Sequence, residues 1–357
     1  MQGLMRWLEG AAWPLWLAHG VDWRARAFHE SLTLDTLACP ADFRRLRVVA
    51  RQTYVFSQAH RQGVPRAAEA VELGMDFLRR RAALPGGGYA WRFALDGRVI
   101  DARVDLYDQA FVLLALSAAT AVFPAAALRP LAMALDDFCE ARMAHPAGGY
   151  VESLPPALPR RQNPHMHLLE ARLAAAEAFG EARFLERAAP LVELFRRSLF
   201  RHGVLGEFYG DDWQAEPPFV VEPGHHCEWI WLLHWYARLS GIAPPPEAAA
   251  LRDFVERHVP PGPLPDGLAP TGEIVAAGAR LWPQAERLKA EALRDPPDAA
   301  RMEDACAALQ DYLRPDGLWH ERRLPDGTLS EEPAPASSLY HLTCAALETA
   351  GMSSRRR

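Results

Sequence analysis

Two short segments of the chain share one plan, in which a proline is followed by a histidine and a glutamate three residues apart. The pairs are His225 with Glu228 and His167 with Glu170. Residues three apart lie on one face of a helix. Imidazole exchanges protons near neutral pH, and a carboxylate can fix its tautomer and orientation. The repeated plan therefore indicates proton-transfer chemistry rather than ordinary packing.

Two further residues could take part in that chemistry. His341 opens an apolar helical pattern, and one of the two serines before it could cap the helix. Arg51 interrupts an apolar helical run, where a guanidinium is costly unless it is paired or functional. Helices that start at one mouth of a barrel would direct these side chains into a shared cleft. The predicted catalytic set is His341, His225, Glu228, His167 and Arg51.

A second set of residues is predicted to bind substrate. Asp108 follows a helix start, so its charge could instead serve the helix N-terminus. Trp282 and Trp319 could stack on the apolar C–H faces of a sugar, although tryptophans on apolar helices commonly serve packing. His234, a lone histidine on an apolar helix, is interpreted as a packing residue. The predicted substrate contacts are Tyr107, Asp108, Asn163, Glu170, Trp282 and Trp319.

Metal binding is the rival interpretation of the histidines. His165 and His167, with His225, His226 and Glu228, could in principle hold zinc. The order H-H-x-x-E differs from the H-E-x-x-H helix motif, so we predict neither a metal nor another cofactor.

Other catalytic classes have weaker support. The glycine run at 86–88 lacks the Lys-Ser/Thr that follows in a phosphate-binding loop, and no G-x-S-x-G motif is present. Glycoside hydrolysis would need a pair of acids, and no isolated acid pair stands out beside the histidines.

A glycine-containing turn followed by an aromatic or apolar residue recurs along the chain about every 60 residues. The segments between the turns have apolar residues at helical spacing, and alternating strand patterns are short. These features predict an all-α fold, an (α/α)6 barrel of six helix pairs with short β-hairpins in the loops at one end, as a single domain over 1–357. The turns are at 20–23, 86–91, 148–150, 203–209, 266–268 and 316–319. The predicted helices are 1–16, 105–120, 166–179, 184–200, 227–239 and 339–350.

Composition limits the partners and the compartment. The 357-residue chain has a formal net charge of −6, which argues against nucleic-acid or membrane-surface binding. Its five cysteines are scattered and odd in number, as expected in a reducing compartment, and no apolar segment suggests a leader or a membrane span. We therefore expect a cytoplasmic protein, monomeric or homodimeric, that binds neither nucleic acid nor a membrane.

Six long motifs, in order along the chain, resemble the N-acylglucosamine 2-epimerase superfamily, and most of all its bacterial D-mannose isomerase and mannose-6-phosphate-isomerase-like branch. The resemblance implies an (α/α)6 barrel and a metal-free reaction on a reducing sugar. It also implies that His225 and His341 are the catalytic histidines, with His167, Glu228 and Arg51 completing the site. The motifs are 50–56, 105–111, 161–171, 222–229, 280–286 and 337–341.

The resemblance suggests interconversion of D-mannose and D-fructose through ring opening and a cis-enediolate. His341 would be the general base at C2 and His225 the acid, although these two roles could be exchanged. Glu228 would orient His225, and His167 would bind substrate hydroxyls or share the proton transfer. Arg51 would stabilise the developing oxyanion.

Several alternatives remain open at this point. Mannose 6-phosphate is the second substrate candidate, with Arg160 or Arg161 as a phosphate contact. Epimerisation at C2 would use the same residues, because the two reactions differ only in where the proton returns. A carbohydrate- or protein-binding toroid without turnover, and a glycoside hydrolase or lyase, are the candidates from other classes.

Overall fold

The computed structural model describes the backbone of residues 2–355 and the side chains of residues 3–351. The described chain is mostly helical, as predicted. Its α-helices are α1 (Gln2–Trp7), α2 (Trp13–Leu15), α3 (Leu46–Arg61), α4 (Ala67–Phe77), α5 (Leu106–Ala118), α6 (Ala125–Met143), α7 (Gln162–Phe179), α8 (Ala182–Leu194), α9 (Pro223–Ser240), α10 (Pro246–His258), α11 (Leu281–Ala292), α12 (Ala299–Gln310) and α13 (Ser338–Arg355).

The odd-numbered helices from α3 to α13, called the inner helices, contact one another in chain order, and α13 returns to contact α3. Each even-numbered helix from α4 to α12 packs on the inner helix before it, and α1 packs on α13. The inner helix α5 is buried on nearly every side. The outer helix α8 buries mainly one stripe, including Phe184, Ala188 and Leu191, as expected for a helix with one solvent face.

Short antiparallel strands connect the loops that precede the inner helices. Only some of them form the predicted hairpins within one loop, because several strands pair with a strand from a neighbouring loop instead. These pairings fix the starts of the inner helices relative to one another. The pairs are 21–22 with 27–28, 31–32 with 334–335, 43–45 with 92–94, 92–94 with 99–101, 104–105 with 153–154, 160–161 with 208–209, 200–201 with 204–205, 267–268 with 274–276, and 279–280 with 322–323.

The observed boundaries of α7, α9 and the N-terminal helix differ from the predicted ones. Helices α7 and α9 each begin four residues before the predicted start, so His225 lies in the first turn of α9 rather than ahead of it, and His167 lies in the second turn of α7. The predicted N-terminal helix is divided, because π-helical turns at Leu8–Ala12 and Trp16–Gly20 follow α1 and α2. No helix within residues 2–355 is long and apolar enough to cross a membrane.

Candidate active site

The first turns of the inner helices surround a cleft of about 200 Å³. Every inner helix, or the residue just before it, contributes at least one side chain, so the cleft lies at one end of the helix ring. The described residues that line it are Arg51, Tyr107, Asn163, His167, Glu222, His225, Glu228, Arg280, Trp282, Glu321, Ser337, Ser338 and His341. This set contains all five predicted catalytic residues and three of the six predicted substrate contacts.

Three histidines of the cleft are held in the same way, by a buried carboxylate at Nδ1. The carboxylate fixes the ring orientation and leaves Nε2 as the nitrogen available to a ligand. The pairs are His167 with Glu170 at 2.9 Å, His225 with Glu207 at 3.0 Å, and His341 with Glu286 at 2.7 Å.

His225 is surrounded by negative charge. Burial lowers its pKa, but the carboxylates of Glu207 and Glu222 outweigh burial and raise the pKa to about 9. Glu222 lies 3.9 Å from Nδ1, beyond the hydrogen bond to Glu207. The Asn163 amide lies 3.2 Å from Nε2, and its oxygen, which has no partner among the described residues, can turn to accept the proton of that nitrogen. His225 is therefore an imidazolium at neutral pH and can donate a proton.

His341 has the opposite electrostatic environment. Burial lowers its pKa well below 6.5, and the nearby cations Arg51 and Lys289 lower it further. Burial likewise lowers the pKa of His167 to about 4, although Glu170 opposes that shift. Both rings are neutral at neutral pH and can accept a proton at Nε2.

Glu228 does not orient His225, contrary to the prediction, because Glu207 already occupies Nδ1 of that histidine. The Glu228 carboxyl is 1% exposed, and neither of its oxygens has a hydrogen-bond partner among the described residues. Burial raises its pKa well above the usual value, and the nearby Glu286 carboxylate adds to the effect. A protonated Glu228 in the cleft wall can donate a hydrogen bond to a bound hydroxyl.

Arg51 brings an ionised guanidinium into the cleft without a carboxylate partner among the described side chains. Its Nη2 donates to the Tyr107 hydroxyl at 2.6 Å, and its Nη1 donates to the Ser337 carbonyl at 3.4 Å. The guanidinium carbon lies 4.2 Å from the centre of the Phe111 ring and 5.0 Å from that of Tyr340. Neutral groups hold it in place, so its charge is available to an oxyanion.

Trp282 lies between the two catalytic histidine candidates. Its ring centroid is 4.9 Å from that of His225 and 5.6 Å from that of His341. A sugar in contact with this ring would have a proton donor on one side and a proton acceptor on the other.

Three predicted substrate contacts lie outside the cleft lining. Trp319 is fully buried and stacks on Trp16 with centroids 5.1 Å apart, so it is a core residue and not a sugar platform. Asp108 is fully buried and pairs with Arg47 at 2.7 Å. Both carboxylate oxygens of Glu170 already accept hydrogen bonds, one from His167 and one from the hydroxyl of Tyr340. Glu170 therefore orients His167 and does not line the cleft.

The two arginines suggested for a phosphate contact also lie elsewhere. Arg160 is 1% exposed, donates to three backbone carbonyls and stacks on Trp213. Arg161 pairs with Glu152 at 2.7 Å. Apart from Arg51, the guanidinium in the cleft lining is that of Arg280, which is already paired with Asp266 and Glu222 at 2.8 and 2.7 Å.

The zinc set considered from the sequence is not brought together. Both ring nitrogens of His165 are used by the backbone, at Arg161 and Tyr150. His226 stacks on Phe254, away from the cleft lining. Three other groupings of acids and histidine among the described residues lie close enough to hold a cation, but each of their histidines already has a carboxylate at Nδ1. We assign none of these residues as a metal ligand.

Sequence reasoning missed several residues of the site. Glu207 and Glu286 are remote in sequence from the histidines that they orient, by 18 and 55 residues. Glu321 accepts hydrogen bonds from the Ser338 hydroxyl in the cleft wall, and burial raises its pKa to about 7. Glu286 lies within a motif that carried the family resemblance, which was the available signal.

The cleft thus brings together groups that can donate and groups that can accept a proton. The chain belongs to the N-acylglucosamine 2-epimerase (GlcNAc 2-epimerase) family, which matches residues 27–345. It is therefore an enzyme of the sugar isomerase and epimerase class, as the motifs predicted.

Individual relatives are similar over most of the chain. The mannose-6-phosphate isomerase of Rhizobium meliloti (strain 1021) is 37% identical over 378 residues, covering 97% of this chain and 95% of the relative. The D-mannose isomerase of Thermobifida fusca is 31% identical over 282 residues, covering 69% and 67%.

Solved structures share the fold. A D-mannose isomerase structure has a TM-score of 0.88 at 22% identity, covering 98% of this chain and 97% of that one. The cellobiose 2-epimerase from Spirochaeta thermophila DSM 6192 has a TM-score of 0.87 at 25% identity, covering 100% and 97%.

Proposed function

We propose that this enzyme interconverts D-mannose and D-fructose by proton transfer between histidines and an enediolate, without a cofactor. The observation that carries the proposal is the opposite charge of the groups around two histidines that both contact Trp282, with carboxylates beside His225 and cations near His341. His225 is held protonated by two carboxylates, and His341 is held neutral by burial and two cations. An aldose–ketose isomerase needs one such acid and one such base.

The chemistry follows from these charge states. His225 donates a proton to the ring oxygen as the bond between C1 and that oxygen breaks, and it takes up the proton that the C1 hydroxyl releases as the C1 carbonyl forms. His341 then removes the proton at C2, which is acidified by the C1 carbonyl, and the electron pair moves to form a cis-enediolate. Arg51 stabilises the negative oxygen, and Glu228 donates a hydrogen bond to a hydroxyl. The proton of the C2 hydroxyl moves to the C1 oxygen, and return of the abstracted proton from His341 to C1 gives the ketose. His167 binds hydroxyls beside Tyr107.

The site supports a neutral hexose over a sugar phosphate. Glu222 and Glu321 lie in the cleft wall, and the two carboxylates on Arg280 already offset its charge. Mannose 6-phosphate is nevertheless the second candidate substrate, because a relative of that name is 37% identical over nearly the whole chain. Rates with D-mannose and mannose 6-phosphate at equal concentration, followed by NMR, distinguish the two. Formation of glucose instead of fructose would indicate 2-epimerisation.

We also propose that the closed order of inner helices, each backed by an outer helix, is an (α/α)6 barrel that forms a single domain over 1–357. The cytoplasmic location and the monomeric or homodimeric state stay predictions.

The pH dependence of kcat/KM follows from the two histidines. The acid must be protonated and the base neutral, so activity is expected between the pKa of His341, well below 6.5, and that of His225, about 9. Replacing Glu207 by Gln removes the charge that raises the His225 pKa. The protonated acid is then lost at lower pH, and the basic limb of kcat/KM moves downward. The exposed Glu216→Gln is the control, and an unmoved basic limb in Glu207→Gln would refute the assignment of His225.

Arg51→Met is expected to lower kcat by roughly 10²–10³-fold, the effect of losing one oxyanion donor. The loss should fall on kcat more than on KM, because the negative oxygen exists only in the enediolate. Steady-state kinetics with D-mannose provide the measurement, and the exposed Arg61→Met on the same helix is the matched control. An equal loss in both variants would contradict a role in oxyanion stabilisation.

A further inference from the structure

Lys289 is the only lysine among the 357 residues of the sequence, in which the other 38 of the 39 basic side chains are arginines. It lies on α11, and its side chain is fully buried. Its ammonium is 2.6 Å from Oε2 of Glu286 and 3.5 Å from the centre of the Trp231 ring. The other carboxylate oxygen of Glu286 binds Nδ1 of His341 at 2.7 Å. The lysine therefore stands directly behind the proposed catalytic base.

A compact ammonium is a point charge, whereas a guanidinium is a planar fork that needs more partners. Glu286 has one free oxygen to offer, and Trp231 closes the other side of the ammonium. This environment suits lysine and would leave several N–H groups of an arginine without acceptors. The single lysine of the sequence thus lies where the surroundings favour a compact ammonium over a guanidinium.

Buried ionisable groups from five inner helices surround Lys289 and His341. They include the carboxyl groups of three glutamates, which is more negative charge than one lysine can balance if all three are ionised. Glu228 and Glu286 are close enough for their oxygens to lie within 4.8 Å. Two carboxylates at that separation do not both stay ionised in a buried place without a cation. The titratable and charged groups that face Lys289 and His341 are Arg51, His167, Glu170, Glu228, Glu286, Tyr340 and Cys344.

We propose that Lys289 is a positioning residue for proton abstraction, which keeps Glu286 ionised so that Glu286 retains the Nδ1 proton of His341 and leaves Nε2 free as the base. This inference rests on the proposed function, because it assigns the base role to His341. Lys289 itself does not line the cleft and does not touch the sugar.

Loss of the ammonium has a predictable direction. Without the ammonium, the buried pair of Glu286 and His341 takes up a proton more readily, either at the Glu286 carboxylate or at the His341 ring. In either case the pair loses the form with an ionised Glu286 and a neutral His341 at a higher pH than in the wild type. Because the base works only in its neutral form, the acid limb of kcat/KM must move to higher pH.

The test is the pH profile of Lys289→Met, which removes the charge and shortens the unbranched side chain by one atom. We expect kcat near pH 7 to fall by roughly 10²-fold with little change in KM, and the acid limb to move upward by about one pH unit or more. Lys289→Arg keeps the charge, so its acid limb should stay at the wild-type pH even if packing lowers kcat. An acid limb in Lys289→Met that coincides with the wild-type limb would overturn the proposal.

Arg44→Met is the matched control, since Arg44 is 2% exposed and pairs with Asp22 at 2.6 Å outside the cleft lining. Its loss should lower stability without moving either limb. If Lys289→Met does not fold, a displaced acid limb in Lys289→Arg counts against the proposal and an unmoved one supports it.

A second readout separates this proposal from the proposed function. NMR titration of the His341 ring in histidine-labelled protein, assigned with His341→Asn, needs no turnover. Absence of isomerisation in the wild-type enzyme would refute the proposed function alone. An unchanged His341 titration in Lys289→Met would refute the positioning role alone.

Discussion

Replacing His341 by Asn is expected to lower kcat for conversion of D-mannose to D-fructose by roughly 10²–10⁴-fold, the contribution of a positioned general base. The asparagine amide can still donate a hydrogen bond to Glu286, so the buried carboxylate keeps a partner. It cannot accept a proton, and the C2 proton therefore stays in place. Steady-state kinetics and exchange of the C2 proton with heavy water measure the two consequences together.

His234→Asn is the matched control for that variant. His234 lies on the inner helix α9, and among the described residues its ring hydrogen-bonds to the Ile230 carbonyl at 2.8 Å. Its replacement should leave kcat within about threefold of the wild type, as for a substitution away from the reacting atoms. Wild-type exchange at C2 in His341→Asn would remove His341 from the mechanism and would favour His167 as the base.

His225→Asn is expected to produce the second large loss, also of roughly 10²–10⁴-fold in kcat, because the acid that opens the ring is removed. The variant should also lose the basic limb of the pH profile, since the group that titrates at about 9 is absent. A pH series of kcat/KM from about 6 to 10 tests both effects.

The adjacent residue provides the control. His226 stacks on Phe254 with centroids 5.1 Å apart, and neither of its ring nitrogens has a partner among the described residues. His226→Phe keeps this packing and should retain activity and both limbs. A basic limb that persists in His225→Asn would assign the pKa near 9 to another group.

The parts of the site that were predictable from the sequence are those set by local spacing. His167, His225 and His341 each lie in the first turns of a helix, and Arg51 breaks an apolar run, so their types and positions were visible in the chain. Helices α7 and α9 begin earlier than predicted because proline is tolerated in the first turn of a helix.

The parts that were missed depend on contacts between distant segments. Glu207 displaces Glu228 as the partner of His225 because a loop strand brings it to Nδ1, which spacing within one helix cannot reveal. The prediction that Trp319 stacks on a sugar was wrong, because Trp16, some 300 residues earlier in the chain, covers the face of its ring. The prediction that Asp108 binds substrate was also wrong, because Asp108 forms an ion pair with Arg47 on the neighbouring inner helix.

The most direct test of the central claim is NMR of D-mannose incubated with the wild-type enzyme in heavy water containing EDTA. We predict that D-fructose appears and that deuterium enters the sugar at the carbons between which the proton moves. Neither ketose nor deuterium exchange, with D-mannose and mannose 6-phosphate alike, would contradict histidine proton transfer in this cleft.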